Sequence, residues 1–366
     1  MRGARVPRAL HPVAWWVWAL GLAVAASRTT NPLILLLFVT VAGCVVAARR
    51  TDAPWARGFR VYLALGLVII AIRVGFRVLL DGQHGRHVLF TLPELDLPDA
   101  VAGIRIGGPV SLEGLLAALY DGIRIATLLL CVGAANVLAD PKRLLKSLPA
   151  ALYELGVAVT IALTTAPQII ESGQRIHRAR RLRLAPEGRR PRRPVRGVLV
   201  PVLEDALDRS LALAAAMDSR GYGRVASVPR RALRTGRALL IGGVCAVLVG
   251  TYGVLDGTAP APLGAPALVA GCVLGAAGMR LAGRRVPRTV YRPAPWRAAE
   301  TAVAACGLAA AVLVVVAEHV DADVLFPTVQ PPRWPTVSAI VAMAALIGLL
   351  PAWLAPPVDA LEATPA

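Results

Sequence analysis

"ELGVAVTIALTTAPQIIESGQRIHRARRLRL", Glu154–Leu184, begins as an apolar run and ends as a polybasic one. Its first part, together with the residues just before it, gives an apolar segment over Ala151–Ile170. That is long enough to cross a bilayer, which takes about 20 apolar residues and accepts 17. Whether it crosses decides the topology of everything after it. From Glu171 to Arg237 the chain holds 17 arginines against six acids, a net charge of about +11, and that block must lie on one side of the membrane.

Composition sets the frame. Of 366 residues 56% are hydrophobic, the mean hydropathy is +0.62 and the net charge is +18. The apolar share exceeds the roughly 45–50% of globular chains, so side chains are buried in lipid rather than in one core. The fold class expected is an all-α polytopic membrane protein. Besides Ala151–Ile170, eight apolar runs qualify as spans: Val13–Ala26, Leu33–Ala48, Val61–Leu80, Leu112–Leu138, Ala238–Leu255, Ala265–Met279, Ala299–Ala317 and Val337–Leu354. Only "SRTTNP" separates the first two, which favours a helical hairpin over a cleaved leader.

Charge in the short loops orients the spans, because lysine and arginine stay in the cytoplasm. "RRTDAPWARGFR", "DPKRLLKSLP" and "RLAGRRVPRTVYRPAPWR" are basic and belong inside. "DGQHGRHVLFTLPELDLPDAVAGIRIGG" and "EHVDADVLFPTVQPPRWP" are biased toward acids and belong outside. If Ala151–Ile170 crossed as well, the arginine block would be carried outside directly after a basic loop that belongs inside. The expectation is therefore eight spans, with Ala151–Ile170 lying along or dipping into the cytoplasmic side and both termini cytoplasmic. Glu154, three threonines and Pro167 in this segment are poor choices for a lipid-facing helix. The chain then divides into a membrane bundle over 1–138, a cytoplasmic helical region over 139–237 and a membrane extension over 238–366.

The cytoplasmic region reads as two helices. The first continues through "APQIIESGQRIHRARRLRL" and stops before Pro186, whose ring disfavours helix at Ala185. Its last turns carry Arg175, Arg178, Arg180, Arg181 and Arg183. "PEGRRPRRPVRG" is a linker rich in helix breakers. The second helix reads "VPVLEDALDRSLALAAAMDSRG", with Pro201 near its first turn and Glu204 and Asp205 close behind, as the helix dipole prefers. Gly221 suits the left-handed position after a helix, which leaves Arg220 projecting from the end. Taken alone, Arg220 answers the C-terminal dipole for roughly 0.3–1 kcal/mol. The cluster at 175–183 alone is a polybasic strip on anionic lipid, at about 1 kcal/mol per residue. Together, at the tips of consecutive amphipathic helices, they read as a docking device.

Laid in order, "HPVAWW", "NPLILL", "DGIRIATLLLCVGAANVLADPKRLLKSLP", "ELGVAVTIALTTAPQIIESGQRIHRARRLR" and "LALAAAMDSRGYG" resemble the T component of energy-coupling factor (ECF) transporters, the cobalt-transport membrane protein family. The resemblance covers roughly Val13–Arg237. It implies two cytoplasmic coupling helices, each ending in an Ala-Arg-Gly motif whose arginine docks on one of two ABC-type ATPases. It also implies a separate substrate-binding membrane subunit, ATP and Mg on the ATPases with no cofactor on this chain, and vitamins or transition-metal ions as cargo. The second motif is similar to Ser219, Arg220 and Gly221, with Ser in place of Ala. The first falls on Ala179, Arg180 and Arg181, where the Gly is replaced. Arg181 and Arg183 are then alternative anchors, and Pro186 takes over the helix stop.

Other classes are less well served. The chain contains no GxxxxGK[ST] run that would cradle a nucleotide phosphate, so ATP hydrolysis is expected on other subunits. The basic block interleaves only Tyr222 with its arginines, too little stacking surface for nucleic acid. The five cysteines stand singly in apolar runs and read as small hydrophobes. Within the spans, Arg124 has Asp121 one turn earlier, which leaves open an internal pair or a contact with the substrate-binding subunit. Arg73 and Arg77 share a face and read as snorkelling, and His177 as solvated. The alternative is a stand-alone membrane enzyme or secondary transporter with a polybasic lipid-binding surface, for which "PELDLPD" and "HVDAD" hold the only candidate acids.

Overall fold

His11-Pro12 and Asn31-Pro32 start two helices in the same way. A side-chain acceptor at the N-cap takes an orphan N–H, and proline follows where its missing donor costs nothing. In the computed structural model, which describes residues 10–50, 58–80, 86–95, 106–184, 196–222, 229–255, 260–283, 296–331 and 333–356, His11 Nδ1 accepts from Val13 N at 3.3 Å and Asn31 Oδ1 from Leu33 N at 3.0 Å. Helices α1 (Pro12–Ser27) and α2 (Pro32–Arg49) begin there. The chain continues through α3 (Phe59–Leu80), β1 (Val88–Leu95), β2 (Ile106–Ser111), α4 (Leu112–Leu138) and α5 (Pro141–Lys146). A 3₁₀ turn at Ala150–Leu152 leads into α6 (Tyr153–Leu184), followed by α7 (Arg196–Ser219), α8 (Arg230–Leu255) and α9 (Ala265–Gly283). Last come α10 (Ala298–Val320), α11 (Ala322–Leu325), α12 (Ala339–Leu349) and α13 (Pro351–Leu354).

Among the described residues the fold is all-α apart from an antiparallel β1–β2 hairpin, which stands where the sequence reads as a plain outer loop. The hairpin leads directly into α4. Ser111 caps that helix by accepting from Gly114 N at 3.3 Å, and buried Glu113 accepts from His87 N at 3.2 Å and meets His87 Nδ1 at 2.8 Å.

Two compact units emerge, Met1–Leu144 with Ala294–Ala366, and Leu145–Pro293. The helices after residue 238 are thus shared between them. In the first unit, α1, α2, α4, α10 and α12 enclose a core around Trp18, Leu22, Ile34, Phe38 and Val314. Trp18 Nε1 donates to Gly348 O at 2.9 Å, so even the indole's polar edge is satisfied inside. Gly21 and Gly307 let α1 and α10 touch backbone to backbone: a Cβ on Gly307 would lie 2.4 Å from Trp18 Cα. Asn31 Nδ2 also donates to Val324 O and Thr336 O, each at 2.7 Å, tying the α1–α2 turn to the segments on either side of Pro327–Pro335.

In the second unit α8 and α9 form a close pair in which small residues replace side-chain packing, the usual means of helix association in lipid. A Cβ on Gly271 would come within 2.6 Å of Val247 N. Beside them α6 and α7 form a second pair. Helix α7 starts at Arg196, so Pro201 lies inside it rather than in its first turn. Helix α6 carries Pro167 internally and is described to Leu184; the expected stop at Pro186 lies outside the described residues.

Among the described residues seven helices are long and apolar enough to cross a membrane: α2, α3, α4, the segment Ala150–Ala179, α8 over Arg230–Val254, α9 and α10. Helix α1 and Ala339–Leu354 are apolar but shorter. The expected eight spans included both short helices and left out Ala151–Ile170. Length and composition therefore admit as a span a segment that the loop charges lead one to expect inside. Its threonines do not weigh against lipid, because Thr160, Thr164 and Thr165 donate to carbonyls of their own helix at Gly156, Thr160 and Ile161.

The Gly307 contact gives a direct test. Gly307→Val forces backbone apart at the α1–α10 crossing and is expected to destabilise the first unit by about 3 kcal/mol, the upper end for overpacking. Gly43→Ala, where a Cβ meets nothing within 4 Å, is expected to be neutral or slightly stabilising. Thermal unfolding of the detergent-solubilised chain checks both.

Candidate functional site

The end of α7 shows why Arg220 is followed by glycine. Tyr222 N donates to Met217 O at 3.0 Å and Gly221 N to Asp218 O at 2.9 Å, while Gly221 adopts φ 73°. This pair of bonds is the Schellman arrangement, which needs a left-handed residue just past the helix. Ser219 remains the last helical residue, its hydroxyl donating to Ala216 O at 3.0 Å. Arg220 is held at the cap, its backbone N donating to Met217 O at 3.2 Å, while its exposed side chain makes no hydrogen bond or ion pair among the described residues.

Arg220 also stands on the edge of a groove of about 430 Å³, between the end of α7 and the segment from Leu145 into α6. Leu148, Tyr153, Val157, Leu213 and Met217 make its walls. The second tip thus joins a free guanidinium to an apolar hollow.

The first tip lies near the other end of α6. Ala179 is exposed, and the backbone at Arg180, Arg181 and Arg183 continues the helix. The side chains of these three arginines lie outside the described residues, so the choice of anchor among them rests on sequence. His177 is exposed, as its surroundings suggested.

Helices α6 and α7 run antiparallel, and one carboxylate joins them. Ser172 Oγ on α6 donates to Asp205 Oδ2 on α7 at 2.5 Å. Arg209, one turn on, grips the same carboxylate with two prongs, Nε to Oδ1 at 3.2 Å and Nη2 to Oδ2 at 3.0 Å. Arg175 approaches it from α6 at 3.7 Å, and Arg209 Nη1 reaches back to Gln168 Oε1 at 3.5 Å. The Ser172 hydrogen bond, then the Arg209 and Arg175 charges, hold Asp205 below the usual carboxylate pKa, outweighing partial desolvation. Sequence reading placed Asp205 at a helix start and missed this role, since nothing local to it signals a partner 33 residues away.

The antiparallel arrangement puts the two arginine tips at opposite ends of one helix pair. Gly156 and Thr160 share the groove with Arg220, and from there to Arg180 is 20–24 residues of helix, about 30–36 Å at 1.5 Å per residue.

The other candidates are placed as follows. Among the described residues no ion pair joins Asp121 to Arg124. Arg124 instead donates through Nη2 to Ser27 O, at the end of α1, where unpaired carbonyls carry the helix's partial negative charge. Arg73 is exposed, whereas Arg77 is half-buried against the start of α4, its guanidinium 2.8 Å from where a Cβ on Gly114 would stand. Cys44, Cys245 and Cys272 are exposed and Cys131 and Cys306 buried, all unpaired.

Apolar helices of this number and length define a multi-pass membrane protein. The family model for cobalt transport protein, CbiQ, matches residues 3–229, more than half of the chain, and the chain belongs to that family of membrane transport proteins. The match contains both arginine tips and stops one residue before α8. A search of curated proteins finds no match.

Two predictions follow from this geometry. Gly221→Val places a β-branched residue in left-handed backbone at a cost of about 1–2 kcal/mol, so the amides of Gly221 and Tyr222 lose hydrogen-exchange protection while mid-helix amides of α7 keep theirs. For Asp205 the lowered pKa fixes the sign of its pH dependence. Its stabilisation is complete at neutral pH, begins to fade near the ordinary carboxylate value of about 3.9, and is gone once pH falls through the lower value of the folded state. Asp205→Asn is expected to weaken α7 protection at pH 7, with the gap to wild type closing below about pH 4. A gap that is constant with pH contradicts the assignment.

Proposed function

We propose that this chain is the T component of an ECF-type importer. It docks two ABC-type ATPases through its arginine tips and passes their ATP-driven motion to a substrate-binding membrane subunit. ATP and Mg belong to the ATPases, and the cargo, a vitamin or metal ion, is chosen by the substrate-binding subunit. The observation that carries this reading is the spacing of the tips. Two cationic ends about 30–36 Å apart along one helix pair suit two separate partners, one for each end. Arg220, unpaired beside an apolar groove, offers one partner both an ion pair and an apolar contact.

The charges of the helix pair support a cytoplasmic location. Asp205 and Arg209 on α7 contact Ser172 and Gln168 of α6, and Glu204 and Asp208 adjoin them in sequence, exposed. Charged side chains at a bilayer centre cost about 2.5–3.5 kcal/mol each even on the most lenient scale. Four such residues favour a cytoplasmic α6–α7 pair over a spanning one, in agreement with the loop charges.

Capture of ATPases from solubilised native membranes tests this reading. If each arginine enters a buried pair, removing it costs about 3–5 kcal/mol, which is roughly a hundredfold or more in affinity. An exposed pair is worth only about 0–1 kcal/mol. Arg220→Glu and Arg180→Glu are each expected to lose most of the captured ATPase, and the double variant all of it. If wild type captures none at low salt, the chain is not a T component.

A further inference from the structure

We infer that Asp205 is a positioning residue that locks α6 and α7 into one rigid lever, so that the two docking tips move together. This rests on the proposed role of the tips. The lock is a junction of four side chains on two helices: Ser172 and Arg175 from α6 meet Asp205 and Arg209 from α7.

Three features make this junction more than a surface ion pair. Ser172 is buried, 2% exposed, and its hydroxyl is aimed at the carboxylate at 2.5 Å. Arg209 binds both carboxylate oxygens, the planar fork geometry that fixes orientation as well as distance. The apolar packing around the junction is incomplete: a cavity of about 240 Å³ lies alongside it, bordered by Ile161, Thr165, Ile169, Val202, Ala206 and Leu213. Where side chains leave space, helices are free to slide, and sliding of packed helices is a common mode of conformational change. At this level the polar tie, rather than interlocking apolar side chains, sets the register of α6 against α7.

The consequence for energy coupling is mechanical. Force applied by an ATPase at Arg220 enters α7, and force applied at the first tip enters α6. With the lock closed, both act on one body. With the lock open, each helix follows its own ATPase and the motions cancel or dissipate between them.

Spin labels on His177→Cys and Ala215→Cys, both exposed positions outside the docking motifs, report the register directly. Exposed Cys44, Cys245 and Cys272 are replaced by alanine. The full chain is measured by double electron–electron resonance, alone and with its ATPases, with and without ATP. The lock predicts one narrow distribution near 25 Å, from about 15 residues of helix rise combined with about 9 Å between helix axes, unchanged by ATP. Ser172→Ala cuts the tie from α6 but leaves the Asp205–Arg209 pair within α7 intact, and Asp205→Ala removes both. In each variant the distribution is expected to roughly double in width, as for helices free to shear, while both ATPases still co-purify.

Unchanged widths in both variants overturn the inference. So does broadening in Asp205→Ala alone, which assigns the residue to the stability of α7. A wild-type distance that shifts on ATP binding also overturns it, because the pair then works as a hinge. If wild type binds no ATPase, the T-component reading falls, while the widths measured on the chain alone still decide whether Asp205 joins the helices.

Discussion

The hydrogen bond between Ser172 and Asp205 holds two long helices antiparallel, and the placement of the candidate docking groups depends on that pairing. Each tip is a helix terminus, and a terminus is only as well placed as the helix behind it. Joined near their middles, α6 and α7 become a strut with an arginine at each end. The shallow groove beside Arg220 is a product of the same pairing, since it forms where the end of α7 meets the start of α6.

The first unit is held by different forces. Lipid gives apolar side chains no reason to leave it, so helices associate by close fit and by satisfied polar groups. Backbone contact at Gly21 and Gly307, the Trp18 indole on Gly348 O, and the Asn31 amide on two carbonyls are of these kinds. Arg124 follows the same logic, reaching the free carbonyl at the end of α1.

Much of the second unit was legible because its signals are local. Glycine at 221 marks a helix end in any context, and the Schellman bonds there are what that glycine announces. The segment Glu154–Leu184 was readable as one helix for the same reason. What stayed hidden depends on contacts distant in sequence. Asp121 precedes Arg124 by one turn, yet the guanidinium finds Ser27, 97 residues away. Ser172 and Asp205 are separated by a linker whose path the sequence does not disclose. The β1–β2 hairpin was hidden by irregular registry, with glycines 107 and 108 at positive φ within the second strand. The start of α7 at Arg196 was hidden by Pro201, which reads as a first-turn residue but is carried in the helix interior.

The central claim is that the two ends of one helix pair engage two separate ATPases. Photo-crosslinking from a reactive residue substituted at position 180 or 220 of the chain in its native membrane tests it most directly. The account predicts that each position gives an ABC-type ATPase adduct, and that a chain carrying both probes gives a product with two ATPases attached. Adducts to lipid alone, or ATPase adducts from only one end, would contradict it.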